Sequence, residues 1–213
     1  DPGMSCRQRA VEAIGADRVI LPAHRVVQRV HPRIAPVAVE VEFGEGCAAV
    51  VLQATGREEG LLAERLGCDS DARHTLVVEG MGTRYANFTR SYGDTHWIFE
   101  GQEIFKRAVL GMSGACADVM TARHLTADDI NLVVPHQANL RIIEAVAKRA
   151  GVPMERVFVN VHRYGNMSAG TVPVALVEAL EQGRVQPNSL LLLPAFGGGL
   201  TFCAHLVRWG ERV

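Results

Sequence analysis

Val134-Pro-His-Gln-Ala-Asn139 and Tyr164-Gly-Asn-Met-Ser-Ala-Gly170 are the two stretches that decide how this chain folds. Each follows an apolar strand-like run, Asn131 to Val134 and Val157 to Val161, and each opens a helix-like stretch. A strand-to-helix turn presents its side chains at the carboxyl end of a sheet, where α/β proteins place their chemistry. His136 and Asn166 are therefore expected at two equivalent positions of one sheet.

Outward from these turns the pattern alternates. Trp97-Ile-Phe99 reads as a strand, and Gly101 to Ala122 as a long helix with one buried face. Strand 131–134 leads to a helix over Leu140 to Ala150, and strand 157–161 to a helix over Gly170 to Gln182. Pro173 falls in the first turn of the latter, where proline is tolerated. Strands Leu190 to Leu193 and Phe202 to Val207 follow. This alternation predicts a mixed sheet covered on both faces. Toward the N-terminus, Cys6 to Ile14 reads as a helix and Val19 to Leu21 as a strand, while the prolines make Ala23 to Pro36 irregular. Strands Val37 to Val41 and Ala48 to Leu52 flank a glycine turn, Phe43 to Cys47. Gly56 to Ala72 reads as a loop and a short strand, and Thr75 to Thr95 as a short strand and loop.

Composition removes several function classes. Hydrophobic residues make up 48% of 213, enough for a core and too many for a disordered chain. A net charge of −1 predicts no general affinity for nucleic acid or anionic membranes. No apolar run approaches the ~20 residues of a membrane span, and the first residues lack a signal-peptide pattern. Five cysteines without a CxxC pair and eight histidines without HExxH predict neither a disulfide framework nor a metal site. Reduced thiols in a cytoplasmic protein are the expectation.

With Pro194-Ala-Phe-Gly-Gly-Gly-Leu-Thr201, the two turns resemble the condensing enzymes of the thiolase superfamily, and most closely the ketoacyl synthase III family. The likeness is dense from Gly101 to Trp209 and reaches back more faintly to Phe43. It implies an α/β, thiolase-like fold layered α-β-α-β-α, with the C-terminal half complete and the N-terminal half only partly present. The expected division is 1–66 as a remnant of the first half, 67–94 as a connecting segment and 95–213 as the second half.

The same likeness implies an acyltransferase that joins an acyl-coenzyme A starter to malonyl-acyl carrier protein by decarboxylative Claisen condensation, initiating fatty-acid synthesis. Decarboxylation leaves an enolate whose charge collects on the thioester oxygen, and two neutral N–H donors beside that oxygen lower the barrier. His136 and Asn166 take those roles by resemblance; alone, each would read as a structural or turn residue. Gly197-Gly-Gly199 lacks the Lys-Ser/Thr of a phosphate loop and reads first as a tight turn. By resemblance, Gly198 supplies an oxyanion-hole N–H and Phe196 lines the acyl pocket. Gly101 and Phe105 match positions bordering the substrate tunnel, although a core role serves equally. Arg141 and Lys148 share a helix face that suits an acidic carrier protein, and Arg141 and Asn139 are the expected carrier contacts. The resemblance calls for no metal and no cofactor beyond its thioester substrates, and it implies a homodimer.

One expected part is missing. Family members carry the acyl group on a cysteine at the start of a buried helix, where the helix N-terminus favours the thiolate. Cys6 is the only cysteine upstream of the Gly44-Glu-Gly46 turn, but charged Arg7-Gln-Arg9 follows it, and it lies about two helical turns too close to Phe43. The expectation is thus a decarboxylation half-site with its nucleophile elsewhere: on sequence beyond this chain, on a partner chain, or lost in a degenerate member. Two alternatives stay open. One is a secondary-metabolism, polyketide-type condensing or acyl-transfer relative. The other is a non-catalytic thiolase-fold subunit supporting a catalytic partner.

Overall fold

A computed structural model describes residues 44, 46–50, 59–79 and 96–210. Its elements are β1 (Gly60–Cys68), β2 (Leu76–Glu79), β3 (His96–Phe99), α1 (Gly101–Ala122), β4 (Leu132–Val133), α2 (Leu140–Ala150), α3 (Val161–Tyr164), α4 (Thr171–Glu181), β5 (Leu190–Gly197) and β6 (Thr201–Arg208). The main sheet runs β1-β6-β5-β4. β4 is parallel to β5, β6 is antiparallel to both β5 and β1, and a parallel bridge joins Val133 to Val157. β2 and β3 form a separate antiparallel pair.

The strand side chains alternate between two cores, as the period of two requires. Val133, Leu192, Ala204 and Leu206 face α1 and α2, where they meet Ala115, Cys116, Val119, Ile143 and Ala147. Leu132, Val134, Leu191, Leu193 and Val207 face α4, where they meet Ala175 and Ala179. The sheet is thus mixed and covered on both faces. The described residues supply three layers, α-β-α.

Each helix has a local reason for its bounds. α1 buries Ile104, Ala108, Met112, Ala115 and Val119, a stripe at spacings of three and four. α2 opens with Asn139 as its N-cap, whose side chain accepts the Arg141 N–H (2.8 Å). It closes on Gly151 at φ +75°, a left-handed cap that glycine adopts without a steric penalty.

One expected strand leaves the sheet, and of the expected strand Ala48 to Leu52 only residues 48–50 are described; they lie in no strand and are exposed. The run 157–161 makes one bridge and then leaves the sheet: Phe158 donates to the Val133 carbonyl (2.9 Å), and by Val161 the chain is helical. A buried side chain, Gln137, takes the backbone groups that a ladder would have paired. Gly60 to Leu66, at the end of the expected 1–66 segment, pair along β6. Cys6, the helix at 6–14, the strands at 19–21 and 37–41, and Phe43 lie outside the described residues.

Candidate active site

β4, β5 and the bridged run at Val157 are mutually parallel, so their carboxyl ends share one edge of the sheet. His136 leaves β4 and stays tied to β5 through its N–H, which donates to the Pro194 carbonyl (2.9 Å). Gly198 follows the end of β5 at that same edge. Asn166 follows α3, and its carbonyl accepts the Gly44 N–H (2.9 Å).

A short relay of hydrogen bonds joins the two principal residues. His136 Nδ1 lies 2.5 Å from Thr171 Oγ1, which lies 2.9 Å from the Ser168 carbonyl oxygen. The Ser168 N–H donates to Asn166 Oδ1 (2.9 Å). With its oxygen engaged, the Asn166 carboxamide keeps its N–H groups for another acceptor. Ser168 has φ +53°, a left-handed conformation that bends the segment back toward Asn166.

His136 is largely buried, and desolvation pushes its pKa down to about 4. The ring is therefore neutral near pH 7. A histidine with a depressed folded pKa lets the unfolded chain take the proton first as pH falls. Stability is accordingly expected to be full above the ordinary histidine pKa of about 6.5 and to fall as pH drops toward 4. The drop of about 2.5 units corresponds to about 3 kcal/mol. Urea unfolding of wild type and His136→Gln at pH 7 and pH 4 measures it. The variant should lose about 3 kcal/mol less, and parallel losses would refute the assignment.

Gln137 holds this edge together. Fully buried, it donates through Nε2 to the carbonyls of Pro135 (2.8 Å) and Phe158 (3.0 Å). Its Oε1 accepts the N–H groups of Asn160 (2.9 Å) and Val161 (3.2 Å). All four of its hydrogen-bonding positions are used. Below Asn166, the buried Glu178 carboxylate receives Asn160 Nδ2 (3.0 Å), the Tyr164 hydroxyl and the Arg163 guanidinium (3.2 Å). Bonding to that carboxylate raises the Tyr164 pKa.

The remaining expected residues divide. Phe196 and Phe105 pack on one cluster with Ala108, Val109, Met112 and Val146, and Phe196 also reaches Ile104 and Leu200. Gly101 is exposed at the start of α1, beside Phe99. Gly198 is exposed and opens the turn Gly198–Leu200 between β5 and β6, so the tight-turn reading holds. Asn139 has the structural duty of capping α2. The Arg141 guanidinium lies 5.9 Å from the centre of the Phe105 ring. Arg141 and Lys148 are both exposed on α2, whereas Arg149 is turned onto Ser113 Oγ (3.1 Å).

None of the buried thiols is prepared to be a nucleophile. Burial pushes the Cys116 thiol up to about 12 and also raises Cys203. Cys47 and Cys68 are exposed. No group of three or more His, Cys, Asp or Glu among the described residues could hold a metal ion, and no helix among them is long and apolar enough to cross a membrane.

Sequence reasoning missed Thr171, Glu178 and the role of Gln137. Gln137 stood next to His136 in the quoted motif, whereas Thr171 is the first residue of α4, after the N-cap Gly170, and carried no capping signal. Nothing local marked Glu178.

Residues 120–209 match the family model for the C-terminal domain of 3-oxoacyl-[acyl-carrier-protein] synthase III. The chain is 48% identical over 173 residues to β-ketoacyl-[acyl-carrier-protein] synthase III 2 of Vibrio cholerae, covering 81% of this chain and 48% of the relative. It is 42% identical over 210 residues to the synthase III of Nitratidesulfovibrio vulgaris, covering 97% of this chain and 63% of the relative. The crystal structure of the synthase III from Thermus thermophilus superposes with a TM-score of 0.64 at 41% identity, over 73% of this chain and 48% of that one. The chain thus spans about half the length of the first relatives it matches.

Proposed function

Because residues 120–209 belong to the 3-oxoacyl-[acyl-carrier-protein] synthase III C-terminal family, we propose that this chain carries the decarboxylation half-site of such a condensing acyltransferase with its thiolase-like fold. Its substrates are an acyl-coenzyme A starter and malonyl-acyl carrier protein. The bond between the malonyl carboxylate and its α-carbon breaks, carbon dioxide leaves, and the electron pair passes into an enolate. His136 and Asn166 each donate one N–H to the enolate oxygen. The enolate carbon then attacks an acyl thioester held on a cysteine outside the described residues, and the cysteine thiolate leaves. The Gly198 N–H supports the oxyanion of that second step, and Phe196, Phe105 and Gly101 border the acyl path.

The observation that carries this reading is the relay His136–Thr171–Ser168–Asn166. It holds a neutral imidazole near a carboxamide whose oxygen is already engaged. Neutral donors fixed in place stabilise developing negative charge without reorganising.

The carrier protein docks on the exposed basic face of α2, led by Arg141; Asn139 contributes through the cap that sets the start of that helix. The chain divides into a remnant of the first half over 1–66, a connecting segment over 67–94 and the second half over 95–213. Assembly with a second copy, or with a chain supplying the first half, completes the site, and the protein works in the cytoplasm.

Carbon dioxide release from malonyl-carrier protein tests the proposal. His136→Ala and Asn166→Ala should each slow it by about 10²–10³-fold, the usual cost of one oxyanion donor. Release at the wild-type rate in His136→Ala would remove the imidazole from the mechanism.

A further inference from the structure

Helix α3, Val161–Tyr164, is a single turn, and Asn166 follows it two residues later. One turn forms few hydrogen bonds for the backbone freedom it costs, so α3 needs an anchor outside itself. Glu178, buried on α4, supplies one. Its Oε2 accepts Asn160 Nδ2 (3.0 Å) at the start of the turn. Its Oε1 accepts the Tyr164 hydroxyl at the end of the turn and lies 3.2 Å from the Arg163 guanidinium. Arg163 in turn lies over the Tyr164 ring, 5.3 Å from its centre.

A carboxylate is a costly way to stabilise a fold at this place. Glu178 stands beside buried Val174, Ala175 and Ala179, and well-packed apolar side chains often stabilise a core as much as a buried ion pair does. What the carboxylate adds is direction, because donors from residues 160, 163 and 164 converge on its two oxygens. From Tyr164 the path to the site is short. Gly165 turns the chain at φ +64°, a conformation suited to glycine, with its N–H held by the Val161 carbonyl (2.8 Å). Asn166 comes next, its Oδ1 accepting the Ser168 N–H (2.9 Å).

We propose that Glu178 is a positioning residue for Asn166: its carboxylate clamps both ends of α3 and so sets where the Asn166 carboxamide stands. The purpose of the clamp rests on the proposed function, in which that carboxamide donates to an enolate oxygen. The placement itself is a property of the protein alone. Asn160 is buried, and its Oδ1 has no partner among the described residues, so its side chain serves Glu178 only. The same orphan oxygen determines what a glutamine would do in place of Glu178. After a half-turn of the Asn160 amide, Oδ1 accepts the new N–H, while the glutamine oxygen keeps Tyr164 and Arg163.

The test compares wild type, Glu178→Gln, Glu178→Leu and Tyr164→Phe by side-chain NMR of Asn166, hydrogen exchange at the Ser168 N–H and carbon dioxide release. Val119→Ala, in the core between α1 and the sheet, controls for lost stability alone. Glu178→Leu should move the Asn166 amide signals and speed Ser168 exchange about tenfold. Its kcat should fall by about 10²-fold at unchanged KM, the effect of a donor misplaced by about 1 Å. Glu178→Gln should keep the wild-type signals and most of kcat, and Val119→Ala should lower the urea midpoint without either change. If Glu178→Leu does not fold, Tyr164→Phe decides, because it loses one donor and keeps its ring; its Asn166 signals should move in the same sense as Ser168 exchange rises. Unmoved Asn166 signals in the variants that fold would overturn the proposal, as would a glutamine variant no better than the leucine one. If wild type releases no carbon dioxide, the proposed function fails, and the Asn166 signals still decide the role of Glu178.

Discussion

Gln137→Leu is expected to destabilise the protein by about 4 kcal/mol, because it strips partners from four backbone groups at once, three of them buried. Each buried group left unpaired costs about 1–3 kcal/mol. Leucine nearly conserves volume, so little of the loss comes from a cavity. A domain has about 5–15 kcal/mol in total. The variant should therefore sit near its folding threshold, with a much lower urea midpoint or no cooperative transition. A loss below about 1 kcal/mol would mean that water replaces the side chain and that Gln137 is not the pin of this edge. Its neighbours would feel the change first. The segment from Phe158 to Val161, which has left the sheet, is joined to the His136 loop chiefly by this one amide.

Gly44→Ala should damage the site by a steric route. A Cβ at Gly44 would overlap the Tyr164 carbonyl oxygen, and the Gly44 N–H donates to the Asn166 carbonyl (2.9 Å). The Tyr164–Asn166 backbone would have to shift. Overpacking typically costs 1–3 kcal/mol, and a misplacement of about 1 Å in a reacting group costs on the order of 10²-fold in rate. Carbon dioxide release should fall by about that factor while the protein stays folded. Gly114→Ala is the control: a Cβ there meets nothing within 4 Å, and alanine within α1 should stabilise by up to about 1 kcal/mol. Equal activity in both variants would separate the Gly44 turn from the Asn166 loop.

Gly46 also bears on Met167. The segment after Asn166 packs so closely on Gly46 that a Cβ there would overlap Met167 Sδ, and one at Gly170 would lie 3.0 Å from the Gly46 carbonyl oxygen. Met167 is buried, and its flexible thioether fills the space left by the two glycines. Glycine turn and methionine thus behave as one packed unit that sets where Asn166 stands.

Much of the second half was legible because its signals are local. Helices over Gly101–Ala122 and Leu140–Ala150 formed within the expected bounds, because amphipathic spacing and caps are written within a few residues. β5 and β6 contain the expected strands, because alternation of apolar side chains reports a two-faced sheet wherever the partners lie. The motif pair singled out His136 and Asn166 as candidates because their immediate flanks are distinctive. By itself, then, the sequence determined where α1, α2 and α4 run, which strands are sandwiched between them, and that His136 follows β4; Asn166 instead follows α3, where the run 157–161 has already left the sheet.

Tertiary structure decided the rest, wherever a partner distant in sequence outcompeted a local preference. The apolar run 157–161 has the composition of a strand, but Gln137, more than twenty residues earlier, takes its hydrogen bonds. Asn139 looked like a surface contact until the start of α2 placed an N–H against its side chain. Gly60 to Leu66 became part of a sheet because β6, far along the chain, pairs with them. Thr171 lies thirty-five residues from His136, and only the fold brings its hydroxyl to the ring. Spacing along the chain can mark a residue, but its hydrogen-bond partners are set by what surrounds it in space.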